Sequence, residues 1–101
     1  MLRFIAVFVG VACLAGCAEA PVQEMSDARQ AIAAARVAGA TPATSPEFDA
    51  AQAAISRAEA HLQAQEFTRA RLAAMEAKRH AAAALANANA QHAEAPATLP
   101  H

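Results

Sequence analysis

Met25, Ala28, Ile32 and Ala35 recur at spacings of three, four and three. One face of an α-helix repeats in that way, because at 3.6 residues per turn positions three and four apart lie one above another. Gly39 and then Thr41-Pro42 close the pattern, so a first helix is expected over about 22–38. Ser45 stands next as an N-cap, with Pro46 at the first helical position, where its missing N–H costs nothing. Phe48, Ala51, Ile55, Ala58 and Leu62 then resume the spacing and predict a second helix over 46–64. Phe67, Ala70, Ala74, Ala77, Ala81, Ala84 and Ala88 predict a third over 67–90, and 91–101, with Pro96 and Pro100, reads as a disordered tail.

No Gly or Pro interrupts the chain from Glu47 to Ala95, so local sequence alone permits a single rod there. A rod would leave every large side chain of the stripe in water unless a second chain covered it, which favours a hairpin. Folding about Glu66 pairs residues whose numbers sum to 132: Phe48 with Ala84, Ala51 with Ala81, Ile55 with Ala77, Ala58 with Ala74 and Leu62 with Ala70. Each large side chain then faces an alanine, and the axes approach toward the short end of the ~8–10 Å range of packed helices. The expected fold is all-α, a small three-helix module in which helices two and three form an antiparallel alanine-rich hairpin. Leu72 and Met75 fall on the far face of helix three. They either cover helix one or form an exposed patch, and with Lys78 and Arg79 they make the expected partner surface. Lys78-Arg79-His80 is a local basic cluster whose plainest role is a solvated helix face.

Composition changes the picture in one respect. Hydrophobic residues make up 56% of the chain, but about a third of the chain is alanine and there is no Trp or Tyr, so the core is poor in large side chains. A monomer of marginal stability is expected, one that gains from self-association or from an envelope protein as partner. The net charge of −1 and the lack of a basic stripe argue against nucleic acid as a partner.

The N-terminus is of a different kind. Met1-Leu2-Arg3 carries one positive charge, Phe4 to Ala12 are apolar, and Leu14-Ala15-Gly16 place small residues ahead of Cys17, the three-part layout of a secretory signal. The run falls short of the ~20 apolar residues of a membrane span. Leu14-Ala15-Gly16-Cys17 resembles the lipobox of bacterial lipoproteins. The resemblance implies a signal peptide over 1–16, cut before a diacylated Cys17 whose new amine is acylated in turn, and a lipidated tether over 17–21. Cys13 would leave with the signal, and membrane lipid would be held through Cys17. Each acyl chain contributes about 0.8 kcal/mol per buried CH₂, and stable anchoring takes two such chains. Ala18 stands where an inner-membrane retention signal carries Asp, which by lipoprotein sorting rules implies the periplasmic face of the outer membrane.

Ala-Gln-Glu-Phe-x-x-Ala-x-x-x-Ala-x-x-Ala at Ala64 to Ala77 is similar to the hairpin of tetratricopeptide repeats, but Gln65 replaces the glycine, no proline stands near Ala82, and one unit cannot stack into a solenoid. A closer resemblance is to a family of short, alanine-rich bacterial lipoproteins, a domain of unknown function that elsewhere precedes OmpA-type peptidoglycan-binding domains. It rests on the lipobox, Ala28-Arg29-x-x-Ile32, Gly39-Ala40, the Pro46 helix start, Ala51, Ile55, Ala58, Leu62, the turn before Phe67, Ala70-Arg71, Ala74 and Ala77. It implies a periplasmic helical hairpin or three-helix module and brings no catalytic residues. His101 ends the sequence where the major murein lipoprotein has its wall-linked lysine, so covalent wall attachment is not expected.

Candidate chemistry is sparse. His61, His80, His92 and His101 are never three or four residues apart, the spacing that a helical metal site needs, and a solvated surface is their expected place. Glu59, Glu66 and Glu76 alternate with Arg57, Arg69, Arg71 and Lys78 as solvated helix faces do. Ser26, Ser45 and Ser56 have no glycine elbow around them. No enzyme and no cofactor are expected. The expected role is a structural or adaptor module of the envelope, with a small-ligand or metal-binding module using the histidines as the alternative.

Overall fold

The computed structural model describes residues 20–98, with side chains described as far as Ala93. The signal segment, the Leu14-Ala15-Gly16-Cys17 motif and His101 lie outside the described residues. Three helices make up the fold, α1 (Val22–Val37), α2 (Pro46–Gln63) and α3 (Phe67–Thr98), with no strand among the described residues. The all-α three-helix module expected from the spacing is what forms.

Each helix boundary has a local cause. The Ser45 hydroxyl accepts from the Phe48 N–H at 3.1 Å, and Pro46 occupies the first turn of α2, as the sequence predicts. α1 stops at Ala38 because Gly39 turns to φ +107°, with the Ala40 N–H donating to Ala35 and the Gly39 N–H to Arg36, both at 3.0 Å. That pair of backward bonds is a Schellman motif. α2 ends in the same motif: the Glu66 N–H donates to His61 at 2.8 Å and the Gln65 N–H to Leu62 at 3.0 Å, while Gln65 takes φ +61°. This turn, where no Gly or Pro marks the sequence, makes the hairpin and removes the rod.

Two buried clusters stack along the module and give its topology. One joins Met25 and Ala28 of α1 with Ala54 and Ala58 of α2 and Ala73, Ala74 and Ala77 of α3. The other joins Ile32 and Ala35 with Ala40, Phe48, Ala51, Ala81 and Ala84. Early α1 is therefore level with late α2 and early α3, so α1 and α3 run parallel and α2 antiparallel to both. Phe48 shares its cluster with Ala84, Ala51 with Ala81, and Ala58 with Ala74, the hairpin register expected from a numerical sum of 132; Ile55 packs against both clusters. The ion pair of Arg57 and Glu76 at 3.0 Å holds the same register from the outside. Among the described residues, the buried apolar ones larger than alanine are Met25, Ile32, Phe48 and Pro21. Stability therefore rests on close backbone approach and on the high helix propensity of alanine, more than on large buried side chains.

The sequence reading is corrected at the C-terminus. The expected disordered tail over 91–101 does not begin at Gln91, because α3 continues to Thr98. Gln91 to Ala95 contain no helix breaker, and His92 ties this stretch to the rest of the module, its Nε2 lying 2.6 Å from the Ala38 carbonyl. A carbonyl only accepts, so the ring nitrogen carries the proton. Past Ala88 no described side chain of α3 is buried, and the last turns extend beyond α1 and α2.

Candidate functional site

The surface of α3 opposite its alanine core exposes two neighbouring large apolar side chains. Ala70, Ala74, Ala77, Ala81 and Ala84 face inward, so Leu72 and Met75 must face outward, at 61% and 46% exposure. Of the two outcomes left open by the sequence, cover for α1 or an exposed patch, the exposed patch is found. Two further apolar side chains, Val22 and Val37, are exposed at the ends of α1.

An open groove of about 310 Å³ runs beside Met75, lined by Glu24 and Asp27 of α1 and by Lys78 and Arg79 of α3. Of the four residues expected to form the partner surface, Met75, Lys78 and Arg79 line this groove and Leu72 does not. Lys78 Nζ lies 3.9 Å from the Asp27 carboxylate of α1, and Leu72, Met75 and Arg79 follow one another along α3 at helical spacing.

The charged residues have a role that sequence reading missed. Arg29 reaches Glu59 at 3.0 Å to join α1 and α2, Arg57 reaches Glu76 at 3.0 Å to join α2 and α3, and Arg71 reaches Glu24 at 3.4 Å to join α3 and α1. These side chains are a third to a half exposed, where such pairs contribute about 0.2–1 kcal/mol each, so they select register more than they add stability. No spacing in the sequence could have matched them, because each pair spans two helices. Arg36 lies over the Phe48 ring at 5.6 Å and covers the larger end of the core.

The histidines do not act as a set. His61 Nδ1 meets Glu66 Oε1 at 2.8 Å, His80 lies 3.6 Å from Glu76, and His92 bonds to the Ala38 carbonyl. The hydrogen bond from His61 holds the Glu66 carboxyl below its ordinary pKa, with Arg69 adding to the effect and partial desolvation opposing it. Among the described residues no group of three or more His, Cys, Asp or Glu is placed to hold a metal ion.

No family model, curated protein or solved structure matches this chain. The functional reading therefore rests on the residues themselves.

Proposed function

We propose that the chain is a lipid-anchored structural or adaptor module of a bacterial cell envelope, carried by Cys17 and presenting the outer face of α3 to a protein partner. The observation that carries the reading is Leu14-Ala15-Gly16-Cys17 at the end of a short apolar run. Two features of the fold are compatible with it. No helix among the described residues is long and apolar enough to cross a membrane. The chain also enters α1 at Val22, at the end of the module that holds the α2–α3 turn, and the five residues from Cys17 to Pro21 span at most ~18 Å when extended. A lipid at Cys17 would therefore keep that end of the module close to the bilayer. The resemblance to alanine-rich lipoproteins, and with it the outer membrane as the site, belongs to the same proposal.

The test is fractionation. With Cys17 intact the protein pellets with membranes and resists high salt and carbonate, and mass spectrometry of the N-terminal peptide shows an acylated cysteine. A Cys17→Ser protein leaves the membrane fraction. If that variant still pellets and resists washing, the anchor is not at Cys17 and the reading fails.

A further inference from the structure

We infer that the outer face of α3 is a self-pairing surface, and that two copies of this chain associate through it in antiparallel register. The inference does not depend on the lipid anchor.

The exposed face is a regular one. Met75, Ala82 and Asn89 recur every seven residues, Leu72, Arg79, Ala86 and Ala93 recur every seven between them, and all seven are exposed. The alternating steps of three and four are the a and d spacing of a two-stranded coiled coil, here with Arg79 and Asn89 as its polar positions. Side chains along it are graded. The first half carries the large residues Leu72, Met75 and Arg79; the second carries Ala82, Ala86, Asn89 and Ala93. Charge is graded the same way. Arg69, Arg71, Glu76, Lys78 and Arg79 all lie before Ala81, and from Ala81 to Ala93 the only titratable residue is His92.

A gradient of this kind chooses both occupant and direction. Parallel pairing would set Arg79 against Arg79 and bulk against bulk. Antiparallel pairing with residue numbers summing to 168 sets Met75 against Ala93, Arg79 against Asn89 and Ala82 against Ala86. Large then meets small, as in the hairpin inside each copy, and the guanidinium meets an amide oxygen that can accept from it. The charged half of each α3 meets the nearly uncharged half of the other. The same register uses the overhang: the stretch past Ala88, where no described side chain is buried, comes to cover the exposed Met75 region of the second copy. Both needs are met by one contact. If both copies are also tethered through Cys17 to one membrane, an antiparallel pair must lie along its surface, because the two chain entries sit at opposite ends.

Cysteine cross-linking of the full chain in detergent tests the pairing, with the wild-type chain as the control for Cys13 and Cys17. Residues 75 and 93 are separated by 18 positions, ~27 Å along one helix, so in the antiparallel pair each meets the other and neither meets itself. The double variant Met75→Cys with Ala93→Cys should give an oxidised dimer above the wild-type background, and so should a mixture of the two single variants, whereas neither single variant should do so alone. In parallel, sedimentation of the wild-type chain should show a dimer, and Met75→Glu, a change at an exposed position, should give a monomer with its helical circular dichroism retained. Single variants that link to themselves would mean parallel pairing and overturn the inference. So would a wild-type chain that sediments as a monomer, or a Met75→Glu variant that remains dimeric.

Discussion

The two turns of this module use one backbone motif and opposite chemistry. At both, a residue of left-handed φ follows the helix and two backward N–H bonds close the last turn. In the first turn the left-handed residue is Gly39, and the residue after it, Ala40, is buried in the cluster that also holds Ala35, to which its N–H bonds. In the second the left-handed residue is Gln65, and the residue after it, Glu66, is exposed and bonds through its side chain to His61, which also accepts its N–H. One turn is sealed by an apolar contact and the other by a polar one. The difference follows position: the first turn is capped by the His92 end of α3, while Gln63 to Glu66 at the second are all exposed.

Exchanging the chemistry should expose the asymmetry most strongly. Ala40→Glu copies the second turn into the first and places a carboxylate at a position only 4% exposed. A loss of about 3 kcal/mol or more is expected, from overpacking together with an unpaired buried charge, read as a lower urea midpoint at unchanged slope. A variant within about 0.5 kcal/mol of wild type would mean that Ala40 is not sealed as described. Gly39→Ala comes next. A Cβ there would meet His92 Nε2 at 3.5 Å, an ordinary contact, so space is not the difficulty. The φ of +107° lies in the left-handed region that side-chain-bearing residues rarely adopt, and an L-residue held there should cost about 1–2 kcal/mol. Losing the His92 bond instead, by His92→Ala, should free the last turns of α3, seen as faster amide exchange beyond Ala88 and little change in α1.

The same contrast shows what was legible in the chain. Gly39 announced its turn, Ser45-Pro46 announced the start of α2, and the three- and four-residue spacing named Met25, Ala28, Ile32 and Ala35, all of which are buried. The Gln65 turn carries no such mark. The hairpin could be reached only by asking what would cover Phe48 and Ile55, a tertiary argument applied to a locally helical sequence. α3 outruns its expected end because four of the five residues before Pro96 are good helix formers, and because the His92 contact joins residues far apart in sequence. On the candidate surface, spacing placed Leu72 and Met75 on the outer face correctly. It could not say whether α1 would cover them, since that depends on how α1 rotates about α3, which the cross-helix pairs Glu24 with Arg71 and Asp27 with Lys78 now fix.

A smaller effect, of opposite sign, is expected at Gln65. Glycine takes φ +61° without the penalty a side chain meets, and loses part of that gain to its greater freedom in the unfolded chain. Gln65→Gly should therefore raise stability by up to about 1 kcal/mol, with no change in helix content. A loss would show that the Gln65 side chain makes a contact which outweighs the backbone.

The smallest effect should come from Glu66, and it should depend on pH in one direction. Its carboxyl is held below the ordinary value, first by the hydrogen bond from His61, so the folded state binds a proton less readily than the unfolded chain does. That contribution is complete above the ordinary glutamate pKa of about 4.3. It is lost as pH falls through the lowered folded value, because protonating Glu66 removes the negative charge that strengthens its bond from the His61 N–H. Glu66→Gln lacks the titration. The melting temperatures of wild type and Glu66→Gln should therefore differ at pH 6, with wild type higher, and converge in acid. A gap between wild type and Glu66→Gln that stays constant from pH 6 to pH 3 would show that the second turn is held by its backbone bonds alone, and that the polar seal contributes nothing the first turn lacks.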